Sequence, residues 1–294
     1  MKPCVVIGVE GVELTPADLK RLASPIISGV ILFSRNYESP AQLKKLTESI
    51  KHQNPALTIM VDQEGGRVMR FREGFSALPP LAEFGKQLDT KGASEALASA
   101  RHYGALMARE LLACGVDLSL SPVVDLGINQ EIIGTRAFHP DPQKVVILSK
   151  AWIEGMNSAG MKSVLKHFPG HGSVKGDTHL NSLSDARSFD EILKTDLYPF
   201  VSLIQVDYIM ASHVMYPSVD AVPASFSSIW LKDILRKQFG FKGIIISDDL
   251  GMQAAKFSQD PRVPIQMALT AGCDQVLLCN EFDVMDVVLS SKFF

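Results

Sequence analysis

The stretch Gly243-Ile244-Ile245-Ile246-Ser247-Asp248-Asp249 decides the fold. An unbroken apolar, β-branched run belongs to a strand buried on both faces, which is the habit of a parallel sheet. This run ends in two consecutive carboxylates. Working outward, the same kind of run recurs at 4–9, 29–33, 58–61, 116–121, 163–167, 208–212 and 275–279, which with 243–247 makes eight. Helical stretches lie between them. Thr15-Pro16, Ser39-Pro40 and Asp141-Pro142 each place a capping side chain before a proline suited to a first helical position, and 94–112 is Ala/Leu-rich with an apolar stripe. Eight strand–helix alternations match a (β/α)8 TIM-type barrel, with an open doubly wound sheet as the runner-up. No linker or low-complexity segment divides the chain, so residues 1–294 are expected to form a single domain.

Composition removes several function classes. The 294 residues are 46% hydrophobic and 21% charged, the balance of a folded protein rather than a disordered one. The formal net charge of −3 lacks the basic excess of a chain held by a phosphate backbone, which argues against nucleic acid as a partner. The longest apolar runs are strand-sized, too short for a membrane span or a signal-peptide core, so a cytoplasmic protein with no membrane partner is expected. Cys4, Cys114, Cys273 and Cys279 are scattered among apolar neighbours and read as reduced core thiols.

In a barrel of this kind the active site lies at the C-terminal ends of the strands. Those ends are strongly polar here. The third run leads into Asp62-Gln63-Glu64-Gly65-Gly66-Arg67-Val68-Met69-Arg70, and the fourth through Asp125 to Ile133-Gly134-Thr135-Arg136. The fifth ends in Lys166-His167-Phe168-Pro169-Gly170-His171-Gly172, the sixth in Ser212-His213, and the seventh in Ser247-Asp248-Asp249. A carboxylate in such a cleft can attack an anomeric carbon or bind a metal. Asp249 is well placed to cap a following helix over 251–257, which leaves Asp248 for chemistry. In Asp177-Thr178-His179 the carboxylate two residues before the imidazole can reach its ring and set its tautomer; an exposed turn is the plainer alternative. Glycines 170, 172 and 176 give that loop freedom to move. Arg67, Arg70, Arg136, Lys166 and His167 supply donors for sugar hydroxyls or an anion, with Asp62 available to accept.

These motifs, in this order and spacing, resemble the bacterial β-N-acetylglucosaminidases of glycoside hydrolase family 3, the enzymes of peptidoglycan recycling. Asp62 to Arg67, Ile133-Gly134-Thr135-Arg136-Ala137-Phe138, Lys166 to Gly172, Asp177-Thr178-His179, Ser247-Asp248-Asp249-Leu250-Gly251-Met252 and Ala271-Gly272-Cys273-Asp274 carry the resemblance over nearly the whole chain. It implies a single (β/α)8-type barrel and a retaining mechanism. In that mechanism Asp248 attacks the anomeric carbon, and His179, oriented by Asp177, protonates the leaving oxygen and then activates water. Asp62, Arg70, Arg136, Lys166 and His167 would grip a terminal N-acetylglucosamine of a muropeptide, with Arg67 alongside. No metal or other cofactor is implied, and a monomer is expected. Asp-Thr-His replaces the more common Asp-Ser-His and keeps the hydroxyl. The chain ends at Phe294 soon after the eighth run, so a shortened final helix is expected.

Other readings have their own marks. A metal-dependent barrel hydrolase would use His167, His171, His213 and Asp248, but the first strand lacks the His-x-His pair of such barrels. A Schiff-base aldolase would use Lys166, and an inactive sugar-binding barrel would show no turnover. A histidine acid/base also admits transfer to phosphate, because it does not repel an anionic acceptor.

Overall fold

The computed structural model describes residues 4–174, 183–256 and 258–290. All eight apolar runs form strands: β1 (Val5–Gly8), β2 (Ile27–Leu32), β3 (Thr58–Val61), β4 (Leu118–Ser119), β5 (Val164–Phe168), β6 (Tyr208–Ala211), β7 (Ile244–Asp249) and β8 (Gln275–Leu278). They pair in parallel in the spatial order β4-β3-β2-β1-β8-β7-β6-β5. The first and last strands are neighbours, with Val5 opposite Val276. An open doubly wound sheet does not join its chain ends in this way.

The remaining seam lies between β4 and β5, and it is closed by the segment following β4. Val164 N donates to Ser121 O at 2.9 Å, Val123 bridges Lys166 in parallel, and Val124 N donates to Lys166 O at 3.0 Å. The result is the (β/α)8 barrel expected from the sequence.

Two apolar layers hold the barrel. Alternate strand residues point inward, and Val6, Ile31, Met60, Leu118, Val164, Met210, Ile246 and Leu277 fill the interior. The intervening residues face the helices and join a larger outer core. Each fully buried aliphatic side chain contributes about 1.5–3 kcal/mol. The helix Pro40–Gln53 shows how its sequence matches that outer layer: Leu43, Leu46, Thr47 and Ile50, at helical spacing, are its buried face.

Its start is set by Ser39, whose hydroxyl accepts Gln42 N at 3.2 Å. The other two predicted caps also form. Thr15 Oγ1 accepts Asp18 N at 3.1 Å while Asp18 Oδ2 accepts Thr15 N at 3.0 Å, and Asp141 Oδ1 accepts Gln143 N at 2.8 Å. The Ala/Leu-rich stretch is the helix Ala93–Ala113.

One expected element is different. No α-helix runs over 251–256. The strand β7 continues through Asp249, a short 3-10 turn occupies Gln253–Ala255, and the next α-helix is Arg262–Ala271.

Candidate active site

The inward parity of the strands determines which polar residues meet at the C-terminal mouth. Asp62 follows interior Met60 by two residues and Lys166 follows Val164, so both project inside the barrel; the register of β7 against β8 slips between Ile246 and Asp249, and Asp248 and Asp249 both reach the mouth. They line a cavity of about 250 Å³ together with Arg70, Arg136 and His167, above an apolar floor that includes Ile31, Met210 and Leu277.

Lys166 is the centre of a buried charge network. Its Nζ lies 2.7 Å from Asp62 Oδ1 and 2.6 Å from Glu64 Oε1. Arg136 grips the same glutamate with two parallel bonds, Nε to Oε2 and NH2 to Oε1, both 2.8 Å. Arg70 NH2 reaches Asp62 Oδ2 at 3.2 Å. Lys166 and Glu64 are each 1% exposed, so the pairing must offset a large desolvation cost. Burial alone would raise the pKa values of Asp62 and Glu64, but the Lys166 ammonium and the guanidinium beside each carboxyl outweigh it and hold both below the usual carboxylate range. Burial likewise pulls Lys166 and Arg136 down, and the facing carboxylates more than restore them. Asp62, Glu64, Lys166 and Arg136 are therefore charged at neutral pH.

The histidines stand beside it. The register slips between Lys166 and Phe168 in the pairing of β5 with β6, which lets consecutive Lys166 and His167 both reach the cavity. His167 Nδ1 is 2.7 Å from Asp125 Oδ2. His213 is held by two partners: Nε2 is 3.1 Å from Asp249 O and Nδ1 is 2.7 Å from Ser225 Oγ, and the ring stacks on Phe226. A carbonyl can only accept, so His213 carries its proton on Nε2 and accepts from Ser225. Burial pushes the pKa values of both His171 and His213 down. Among the described residues no three His, Cys, Asp or Glu side chains converge as metal ligands would. His167 and His213 each have protein partners.

The two carboxylates at the end of β7 divide their tasks. Asp249 Oδ1 accepts Gly251 N at 3.0 Å and Cys279 N at 3.1 Å, tying β7 to the end of β8. Among the described residues, Asp248 Oδ1 accepts only its neighbour's N–H, that of Asp249, at 2.8 Å, and no hydrogen bond reaches Oδ2.

Residues 8–291 match the model of a family described as the glycosyl hydrolase family 3 N-terminal domain. The chain belongs to this family. The hydrolase is 48% identical over 291 residues to a beta-hexosaminidase of Nitrosomonas eutropha, covering 98% of this chain and 83% of that one. It is 50% identical over 292 residues to a beta-hexosaminidase of Hydrogenovibrio crunogenus, covering 98% and 81%. Its fold is similar to the crystal structure of NagZ from Neisseria gonorrhoeae in complex with N-trifluoroacetyl-D-glucosamine. The TM-score is 0.94 at 45% identity, over 98% of this chain and 84% of that one. The protein is thus an enzyme, a glycoside hydrolase.

Of the residues expected at the site, the barrel of the hydrolase brings together Asp62, Arg70, Arg136, Lys166, His167 and Asp248. Arg67 is elsewhere. It sits in the turn of the small hairpin formed by Gln63–Gly65 and Val68–Met69, exposed, and its NH2 donates to Ile132 O at 2.6 Å. Asp177, His179 and Gly176 lie outside the described residues.

The other two glycines of that stretch are packed, while the loop from 175 on lies outside the described residues. Gly170 has φ +132°, and a Cβ there would stand 2.4 Å from Asp196 Cβ; on Gly172 it would stand 2.0 Å from Leu126 O. Close approach, not freedom, is what requires glycine at both positions.

Three further residues matter that were not singled out as site residues: Glu64, Asp125 and Ser225. Glu64 had a readable signal, since it shares the inward parity of Asp62. Asp125 is one carboxylate in an apolar stretch and gave none beyond that.

Proposed function

We propose that the hydrolase is a retaining exo-β-N-acetylglucosaminidase that removes terminal β-linked N-acetylglucosamine from peptidoglycan fragments. The observation that carries this reading is the position of Asp248, which lines the cavity with Asp62, Arg70, Arg136, Lys166 and His167 and keeps one carboxylate oxygen without a hydrogen bond among the described residues. The relatives named beta-hexosaminidase and the structural neighbour with a bound glucosamine derivative support the choice of sugar. The cavity of about 250 Å³ lies below the roughly 300–1,000 Å³ of drug-sized ligand sites and suits one sugar unit, hence exo action.

In this reading Asp248 attacks the anomeric carbon through its unengaged oxygen, forming a glycosyl-enzyme that water then hydrolyses. His179, oriented by Asp177, protonates the departing oxygen in the first step and takes a proton from water in the second, roles that rest on the family resemblance. The charged network supplies both halves of hydroxyl recognition. Asp62 accepts, while Lys166 and Arg70 donate, and Arg70 Nε is buried without a protein partner among the described residues. Because the network carries its own compensation, the donors are pre-set before the sugar arrives and little reorganisation accompanies binding. A single barrel domain acting as a cytoplasmic monomer completes the proposal.

The test is a panel of 4-nitrophenyl glycosides. The N-acetyl-β-glucosaminide should be cleaved with first release of the β-anomer, and the α-linked and galacto compounds poorly. No turnover of any member would leave only a sugar-binding barrel. Repeating the assay in phosphate, with product analysis, separates hydrolysis from transfer to phosphate.

A further inference from the structure

We propose that Asp125 is a positioning residue that fixes His167 as its Nδ1–H tautomer and so presents Nε2 to the sugar as a hydrogen-bond acceptor. The proposal rests on the reading that His167 touches the substrate. Asp125 follows the seam that closes the barrel: Val123 bridges Lys166, Val124 N donates to Lys166 O, and Asp125 comes next, alongside His167. The carboxylate is completely buried and takes three bonds. Its Oδ1 accepts His167 N at 3.1 Å and His171 N at 2.7 Å, and its Oδ2 stands 2.7 Å from His167 Nδ1.

Burial would raise this carboxyl's pKa, but His167 and the bonds it donates outweigh that and hold it below the usual range. Ionised, Asp125 can only accept, so Nδ1 must donate. With its proton on Nδ1, the neutral form of the ring carries its lone pair on Nε2, the nitrogen left for the cavity that His167 lines. Lys166 and Arg70 in that cavity only donate; an acceptor beside them lets one hydroxyl both give and receive a proton.

The division of bonds between the two oxygens makes Asp125→Asn a sharp test. The amide oxygen can keep both backbone N–H groups, which places the NH2 where Oδ2 was, facing Nδ1. That nitrogen must now accept, and the ring moves its proton to Nε2, as the same carboxylate-to-amide change does in serine proteases. In ¹⁵N spectra of labelled protein at pH 8, His167 should be protonated on Nδ1 in the wild type and on Nε2 in Asp125→Asn. On 4-nitrophenyl N-acetyl-β-glucosaminide, kcat/KM should fall about 10–100-fold, the range seen for residues that orient a metal-binding histidine.

Adding Asp125→Asn to His167→Ala should cost nothing further, because one acts through the other. Full additivity would overturn the proposal, as would an unimpaired Asp125→Asn enzyme beside an impaired His167→Ala one. If His167→Ala itself is unimpaired, the sugar-contact reading falls first and takes this functional role with it. Should Asp125→Asn fail to fold, the wild-type spectrum alone still decides: a proton on Nε2 contradicts the assignment.

Discussion

Asp248 and Asp249 are consecutive at the end of β7, yet only Asp249 is bound into the frame: its Oδ1 takes the N–H groups of Gly251 and Cys279, while Asp248 keeps an oxygen free of hydrogen bonds among the described residues. Asp248→Ala should therefore lower turnover by several orders of magnitude with little change in melting temperature. Asp249→Ala leaves two backbone donors without their partner and should cost about 1–3 kcal/mol of stability. Steady-state kinetics and thermal melts on both variants check the division; an inactive Asp249→Ala beside an active Asp248→Ala would reverse it.

Glu64 neutralises Lys166 and Arg136 at once in a site where it is 1% exposed. Removing one partner of a buried pair strands the other, at about 3–5 kcal/mol. Glu64→Ala should show at least that loss in urea unfolding, and Glu64→Gln much of it. A loss under 1 kcal/mol for Glu64→Ala would mean that water reaches the network freely.

The pH dependence of stability has two windows. His171 and His213 have folded pKa values lowered by burial, so the unfolded chain takes up protons first; stability is fully present above about pH 6.5 and declines as pH falls toward the folded values. Asp62 and Glu64, held low against burial by Lys166 and the arginines, contribute stability that is present above about pH 4 and lost below it, as pH falls through their folded values. Lys166→Met removes the cation they share, so the gap in urea midpoint between wild type and variant should be wide at pH 7 and shrink or reverse at pH 3. A gap independent of pH would contradict this electrostatic account.

A Cβ on Gly172 would lie 2.0 Å from Leu126 O. Gly172→Ala should therefore destabilise the hydrolase by about 1–3 kcal/mol, the usual cost of overpacking, at roughly 2–4 °C of melting temperature per kcal/mol. An unchanged melting temperature would restore the view that this glycine serves mobility.

What the sequence disclosed follows from where the information is local. Parallel strands buried on both faces must be apolar throughout, so all eight were visible, and a cap needs only a side chain and the next three residues, so Thr15, Ser39 and Asp141 were visible too. A closed barrel followed from the count of strands, but the residues that seal it did not, because the seam rests on backbone bonds from Ser121, Val123 and Val124 that require no particular side chain. Arg67 and Arg70 look equivalent in the chain, and only the hairpin, with Gly65 and Gly66 at positive φ, turns the first outward and returns the second to the cavity. Glycine is equally ambiguous: at 170 and 172 the sequence suggests freedom, while the fold uses the missing Cβ for close packing. Asp125 acts only through its neighbours in space, which a run of apolar residues conceals.

The most direct test of the central claim is to trap the glycosyl-enzyme. Incubation with a 5-fluoro-N-acetyl-β-glucosaminyl fluoride, followed by proteolysis and mass spectrometry, should find one sugar esterified to the peptide that contains Asp248, with none on the Asp248→Ala protein. Label on any other residue, or processing of the reagent with release of the α-anomer and no adduct, would contradict the account.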